Sequence, residues 1–375
     1  MVKRGPSAPP VMPGFTYIRP LGTGGFADVF LYEQNMPRRV VAVKVLLGDV
    51  INPEVLRVFT AEADIMARLS AHPSIVTIYQ AGISADGRPY LVMEYCPDGM
   101  GSRYKKAPLG VAEVLDTGVR VAAALETAHR SGVLHRDIKP SNILITMLGG
   151  PVLADFGIAA AVGVTRHEPG LIAVSVPWSS PEVLTEAVSG SVASEVWSLG
   201  ATLYTLLAGR SPFQLPDRAK NTREQVSARV ARARYTPVSR PDVSDKLEGI
   251  LARTMSKDPA ARHESMLALA EDLRWAQYEL GVPSTALEVV SPEWAAATSR
   301  APADEAWRGP VITTVDPDSR RAARSRSVAP RLADRDDELD EPVRPAAWKA
   351  PVAGVAVVVV VVGIGILALR LLGVV

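Results

Sequence analysis

Asp137 and Asn142 stand five residues apart, and Asp155-Phe156-Gly157 follows after a hairpin-length gap. An Asp, an Asn and a second Asp in that order suit the transfer of a phosphoryl group. The reaction needs one carboxylate to orient an attacking hydroxyl and accept its proton. It needs an amide oxygen and a second carboxylate to hold the cations that bridge the phosphates of the donor. Asp137, Asn142 and Asp155 fit those roles in sequence order. One such pattern arises by chance. Two in the right order, with more upstream, make chance a poor account.

The elements that must position these residues can be read from both sides. Leu21-Gly22-Thr23-Gly24-Gly25-Phe26-Ala27-Asp28-Val29 is a Gly-rich turn between apolar runs. Glycine lets backbone approach phosphate oxygens where a Cβ would collide. Alone, this segment reads equally well as a plain hairpin. One strand later, Val40-Val41-Ala42-Val43-Lys44-Val45 carries a single Lys. A lone Lys in a strand is usually a solvated face, but here it falls where a nucleotide needs a cation on its phosphates. A helix should follow, with Phe59, Ala63, Met66 and Leu69 as its apolar stripe. Glu62 lies within it as the best partner for Lys44, with Asp64 the alternative. Val111-Ala112-Glu113-Val114-Leu115 opens a long helix toward His129, and Val196 to Leu207 is apolar almost all round, as in a buried central helix.

Together these segments resemble those of bacterial, eukaryotic-type Ser/Thr protein kinases, most of all the membrane-anchored actinobacterial members. The resemblance runs from Phe15 to Leu280. Ser180-Pro181-Glu182 stands where that family ends its activation segment, and Lys257-Asp258-Pro259-Ala260-Ala261-Arg262 matches the late motif whose Arg pairs with that Glu. Lys139-Pro140 is the Ser/Thr form of the catalytic loop. The resemblance implies an α+β, bilobal fold: a small antiparallel-sheet lobe with one helix, then a larger helical lobe. It implies ATP with Mg²⁺, or Mn²⁺ in its place, and transfer to protein Ser/Thr hydroxyls, the enzyme's own included. By resemblance Asp137, Lys139, Asn142, Lys44 and Glu62 are catalytic, and Asn142 and Asp155 bind metal. ATP contacts fall on Leu21, Gly22, Thr23, Gly24, Gly25, Phe26, Val29, Ala42, Lys44 and Leu144, with Met93 as gatekeeper and Glu94 and Cys96 at the hinge. Arg136, Thr165 and Ser175 are the regulatory candidates. Two positions depart from the family. Glu195 replaces the Asp that ties down the catalytic loop, and Val174-Ser175 replaces Gly-Thr.

Two other function classes compete. A pseudokinase scaffold is opposed by the complete set Lys44, Glu62, Asp137, Asn142 and Asp155. A small-molecule kinase generally lacks Arg136, Lys139-Pro140 and Ser-Pro-Glu.

Composition agrees. The chain is 47% hydrophobic and 22% charged, so most of it can bury a core. A net charge of +1 gives no reason to expect nucleic acid as a partner. Cys96 is the single cysteine, which excludes an intrachain disulfide and a Cys-based zinc site. Its plainest reading is a small buried apolar residue. Arg218, Lys220, Arg223, Arg229, Arg232, Arg234 and Arg240 make one stretch locally basic, either a solvated face or a docking surface.

The expected organisation is a disordered, Pro-rich lead-in over 1–14, a kinase domain over 15–281, a disordered linker over 282–350, a transmembrane helix over 351–372 and a short tail over 373–375. Val352 to Leu369 carries no charged or strongly polar residue. As a helix it would be about 27 Å long, close to the hydrocarbon thickness of a bilayer. Arg344, Trp348 and Lys349 precede it, which favours a single pass through the cell membrane with the catalytic lobes in the cytoplasm. A tether to the lipid bilayer would favour homodimers or autophosphorylation in trans. The few residues after this helix suit a tail-anchored kinase or a truncated receptor.

Overall fold

The computed structural model describes residues 4–156 and 175–290. The first part builds a five-stranded antiparallel sheet from β1 (Phe15–Thr23), β2 (Ala27–Asn35), β3 (Arg38–Leu46), β4 (Ile78–Ile83) and β5 (Pro89–Glu94). Its strand order is β1-β2-β3-β5-β4. The β-branched run of β3 sets the two faces. Val41, Val43 and Val45 are fully buried on one, while Ala42 and Lys44 point to the other. One helix, α1 (Pro53–Leu69), crosses between β3 and β4. Asn52 caps it by accepting the Val55 N–H at 2.8 Å, with Pro53 in the first turn. Phe59, Ala63, Met66 and Leu69 form its buried stripe.

The outer face of the sheet carries a separate apolar layer of Phe30, Tyr32, Val41, Val43, Val45, Tyr90 and Val92, and Met12 closes it. The lead-in expected to be disordered is therefore packed from Arg4 onward. Proline fixes φ in advance, so this segment loses little entropy on docking. The bare sheet face gives it apolar surface to cover. Residues 1–3 lie outside the described residues.

The second lobe follows β5. A short sheet of β6 (Asp98–Gly99), β7 (Ile143–Ile145) and β8 (Pro151–Leu153) frames the loop between α3 and β7. Around it lie α2 (Met100–Lys106), α3 (Val111–Arg130), α4 (Pro181–Leu184), α5 (Val192–Ala208), α6 (Arg223–Arg232), α7 (Asp245–Thr254) and α8 (Met266–Glu279). Helix α5 is the spine of this lobe. Ser191 and Ser194 cap its start reciprocally, and Gly209 ends it at φ 70°. Trp197, Leu199, Leu203, Leu206 and Leu207 are all buried. Gly200 is required by close approach, since a Cβ there would lie 2.0 Å from the Thr254 hydroxyl of α7.

Past α8 the chain continues as an ordered strap, so the linker expected from 282 does not begin there. Thr285 donates its hydroxyl to Asp116 at 2.8 Å and accepts from the Gln277 amide at 2.7 Å. The Val290 N–H meets the Thr127 hydroxyl at 3.3 Å. The ring of His72, in the loop between α1 and β4, donates from Nε2 to the Glu288 carbonyl at 2.6 Å. These polar residues would lie bare on α3 and α8 and beside α1 without the strap, which explains why a segment of modest hydrophobicity is held. The remainder of the linker, Val352–Leu369 and the tail lie outside the described residues. Among the described residues, no helix is long and apolar enough to cross a membrane.

Candidate active site

Strand β3 carries Lys44 into the cleft between the lobes. Its ammonium lies 3.4 Å from Glu62 of α1 and 3.1 Å from Asp155, which follows β8. Burial would favour the neutral amine, but Asp155 and Glu62 together hold the Lys44 pKa above the ordinary lysine value. The Lys44 charge holds Asp155, half of whose side chain is exposed, below the usual carboxylate range against the desolvation of the cleft. Burial pushes Glu62 up, against the pull of Lys44. The geometry thus keeps Asp155 anionic and Lys44 cationic at neutral pH.

Asp137 sits in the loop between α3 and β7. Its Oδ1 accepts from the Ser175 hydroxyl at 2.8 Å. Its Oδ2 accepts from the Lys139 ammonium at 2.6 Å and the Asn142 amide at 3.1 Å. Lys139 also donates to Ser175 at 3.0 Å, so the serine hydroxyl bridges the two. The Asn142 amide donates again to the Asp137 carbonyl at 2.8 Å, and its Oδ1 accepts from the Ser141 hydroxyl at 3.3 Å. Three side chains thus fix one carboxylate.

The loop is held from beneath. His135 is fully buried, and its ring lies 4.6 Å from that of Phe156. Its Nδ1 accepts the Asp137 N–H at 3.3 Å, so Nε2 carries the proton and donates to the Ala154 carbonyl at 3.0 Å. Burial lowers its pKa and keeps it neutral. Arg136 and Asp155 both adopt left-handed backbone, at φ 66° and 59°. Such conformations cost about 1–3 kcal/mol each and persist where surroundings over-determine them. At Arg136 the determinant is Glu195, whose Oε1 accepts the Arg136 N–H at 2.6 Å. The other oxygen, Oε2, pairs with His129 Nε2 at 2.6 Å. The extra methylene of Glu195 is accommodated because the carboxylate bridges the loop and α3. The Arg136 Nε and Nη1 atoms are buried with no hydrogen-bond partner among the described residues.

The nucleotide side of the cleft is apolar. Leu21, Val29, Cys96 and Leu144 pack against the buried cluster that contains Ala42 and Met93. Burial pushes the Cys96 thiol up to about 12, which makes it an inert filler. In the turn from β1 to β2, the Gly24 N–H bonds the Ala27 carbonyl at 2.9 Å, and a Cβ on Gly24 would lie 2.9 Å from that oxygen. Gly22, Thr23 and Gly25 are exposed, as is Phe26 at the tip. Glu94 closes β5, and its N–H bonds the Thr77 carbonyl. Farther out, Arg262 grips both oxygens of Glu182 at 2.7 and 2.9 Å and lies over the Trp197 ring. Thr165, Gly157 and Val174 lie outside the described residues.

Residues 15–273 match the protein kinase domain family. The chain belongs to that family. Over 276 residues it is 40% identical to the serine/threonine-protein kinase PknK of Mycobacterium tuberculosis, covering 72% of this chain and 24% of PknK. It is 34% identical to PrkC of Bacillus subtilis over 267 residues, 70% of this chain and 40% of PrkC. Against PknB of Mycobacterium leprae the identity is 32% over 266 residues, 68% of this chain and 41% of PknB. Among solved structures, a mutant PknI kinase domain from Mycobacterium tuberculosis aligns with a TM-score of 0.54 at 27% identity, covering 74% of this chain and all of that one. The chain spans about a quarter of PknK and two fifths of PrkC and PknB.

The antiparallel-sheet lobe and the helical lobe are those of a protein kinase. Sequence reasoning missed His129 as the second partner of Glu195. A His in the last turn of a helix reads as a favourable dipole contact, and nothing near it in sequence pointed to residue 195. The Arg4–Asp28 contact, described below, was also missed.

Proposed function

We propose that the chain is an ATP-dependent Ser/Thr protein kinase that phosphorylates itself and other proteins. The observation that carries this reading is the shared fixation of Asp137 by Ser175, Lys139 and Asn142, with the Lys44–Asp155 pair across the cleft. Asp137 orients the acceptor hydroxyl and takes its proton. Lys139 lies close enough to the same oxygen to meet the transferred group, and Lys44 holds the donor phosphates. The bond from the γ-phosphorus to its bridging oxygen breaks, a bond to the Ser or Thr oxygen forms, and ADP leaves. Lys139-Pro140 and the likeness to serine/threonine-protein kinases both favour Ser/Thr over Tyr.

The residues present fit Mg²⁺. Asp155 is held anionic by Lys44, and the Asn142 amide is oriented by two bonds from its nitrogen. Among the described residues, no three His, Cys, Asp or Glu side chains cluster to make an all-protein cage. An Asp and an Asn alone suit a cation that takes its other ligands from phosphates and water. When bound, Mg²⁺ would neutralise charge on the transferring group. Mn²⁺ has the same ligand preference.

Regulation and location are part of the same proposal. The Arg136 guanidinium, whose Nε and Nη1 have no partner among the described residues, is suited to a phosphate on the activation segment, with Thr165 the first candidate acceptor. Val352–Leu369 anchors the kinase at the inner face of the cell membrane, where neighbours phosphorylate one another in trans or as a homodimer. The chain incubated with radioactive ATP should label its own Ser and Thr, and Lys44→Met should not. Equal labelling of both would end this reading. Extraction from membranes should require detergent; release by salt alone would remove the anchor from it.

A further inference from the structure

Asp28 is a carboxylate with no exposed surface. It lies in β2, opposite Thr23 of β1 and Val45 of β3, directly after the Gly-rich turn. Its neighbour Val29 pairs with Lys44 and faces the nucleotide cleft. Successive strand residues point to opposite faces, so Asp28 faces the outer side with Phe30 and Tyr32. A buried carboxylate must be paired or hydrogen-bonded, and both partners of Asp28 come from the lead-in. The Arg4 guanidinium donates to Oδ1 at 2.6 Å, and the Ser7 N–H donates to Oδ2 at 2.7 Å. Burial raises the Asp28 pKa, but the Ser7 and Arg4 bonds outweigh it and hold the carboxyl below its ordinary value. The same Arg4 nitrogen reaches the Gly24 carbonyl at 3.4 Å.

The rest of the lead-in is anchored elsewhere on the lobe. Arg88, itself paired with Asp86, donates to the Ser7 hydroxyl at 3.2 Å and the Ala8 carbonyl at 2.8 Å. The Tyr32 hydroxyl donates to the Pro10 carbonyl at 2.6 Å, and Met12 is buried in the outer layer. Pro6, Pro9 and Pro10 stiffen the span between these anchors. The middle of the segment is therefore fixed to the hairpin between β4 and β5, and its start touches the Gly-rich turn at Gly24 and just beyond it at Asp28.

We propose that residues 4–12 form a strap that positions the Gly-rich turn over ATP, and that Arg4 is its positioning residue. This rests on the ATP-binding reading above. A turn with glycine at 22, 24 and 25 samples many conformations, and only some can lie along phosphates. Arg4 restricts that sampling from outside the cleft, at the Gly24 carbonyl and at Asp28. Arg4 is about half exposed but Asp28 is buried, so losing Arg4 strands a buried charge and costs some stability as well. Its effect falls on the population of the competent turn, and nucleotide affinity scales with that population.

The test uses the full chain. Arg4→Ala should raise the KM for ATP about threefold, the result of a competent fraction reduced to a third, while kcat changes less than about twofold, both measured well below a melting temperature lowered by the stranded Asp28 charge. Arg4→Lys, which keeps the charge on Asp28, should recover most of the affinity. Arg4→Ala in an Asp28→Ala background should add no further rise. An unchanged KM in Arg4→Ala would overturn the proposal. So would a loss confined to kcat, or a KM change that tracks a fall in melting temperature and is not rescued by Lys. Nucleotide affinity measured without turnover separates this from the kinase reading. A wild-type chain that binds ATP and transfers nothing counts against the kinase, and the affinity of Arg4→Ala still decides the strap.

Discussion

Glu195 of α5 and Arg136 of the catalytic loop are joined through one carboxylate oxygen and one backbone N–H, 2.6 Å apart. The bond holds Arg136 in a left-handed conformation and so fixes the entry of the chain to Asp137. Removing it by Glu195→Ala leaves the Arg136 N–H and His129 without this partner, at a cost of about 1–3 kcal/mol for a buried group. We expect kcat to fall at least about tenfold, equivalent to 1.4 kcal/mol, with ATP affinity near wild type. Glu195→Asp, too short to bridge both groups, should lie between. Steady-state kinetics on the three proteins would expose an error if kcat were unchanged in the Ala variant.

The Arg262–Glu182 pair should behave as a buried ion pair. Arg262 has no exposed side-chain surface and also donates to the Ser256 and Ala193 carbonyls. Arg262→Ala should cost about 3–5 kcal/mol because it strands the Glu182 charge. Replacing both partners with apolar residues should cost less than either single change. Urea unfolding gives the comparison, and additive losses would contradict it.

The strap over 282–290 makes a prediction about boundaries. A chain ending at 281 leaves Gln277, Asp116 and His72 without the Thr285 and Glu288 groups they meet. After the entropy of ordering the strap is offset, the net loss should be about 1–2 kcal/mol. That corresponds to a melting temperature about 2–8 °C below a chain ending at 290. Identical melting curves would show that the strap contributes nothing.

Stability should rise with pH through the window just below the ordinary histidine value of 6.5. His72 and His263 are buried, and burial lowers both pKa values. The unfolded chain therefore takes up protons at these sites before the folded one does. The stabilisation is complete above 6.5 and declines as pH falls toward the depressed folded values. At His72, protonation of Nδ1 would also break the bond from the Ser74 N–H. Melting temperatures between pH 7.5 and 5 should fall, and less steeply in His72→Gln. A flat profile would be inconsistent with neutral buried rings.

Much of this architecture is legible in sequence, for physical reasons. Phosphate chemistry ties residue type to spacing, so Asp137, Asn142, Asp155 and Lys44 stand out, and the structure brings Lys44 within 3.4 Å of Glu62. Periodicity marks α1 and α3, and an apolar circumference marks α5. What escaped is contact between distant segments of unremarkable composition. A Pro-rich lead-in reads as disorder because its partners, Asp28 and Arg88, lie far along the chain. The basic stretch read as a surface also has structural members. Arg229 donates to the Phe213 carbonyl, and Arg240 to the carbonyls of Leu109 and Leu207. Bonds to backbone carbonyls leave no complementary charge in the sequence to reveal them.

The central claim is that Asp137, held by Ser175, Lys139 and Asn142, promotes phosphoryl transfer from ATP to protein hydroxyls. The most direct measurement is the rate of γ-phosphoryl transfer to Ser/Thr at saturating Mg-ATP in wild type and Asp137→Asn, with nucleotide affinity measured alongside. Asn is nearly isosteric and cannot accept the proton, so the account predicts a rate at least about a hundredfold lower with nucleotide affinity unchanged. Transfer by Asp137→Asn at the wild-type rate would contradict it.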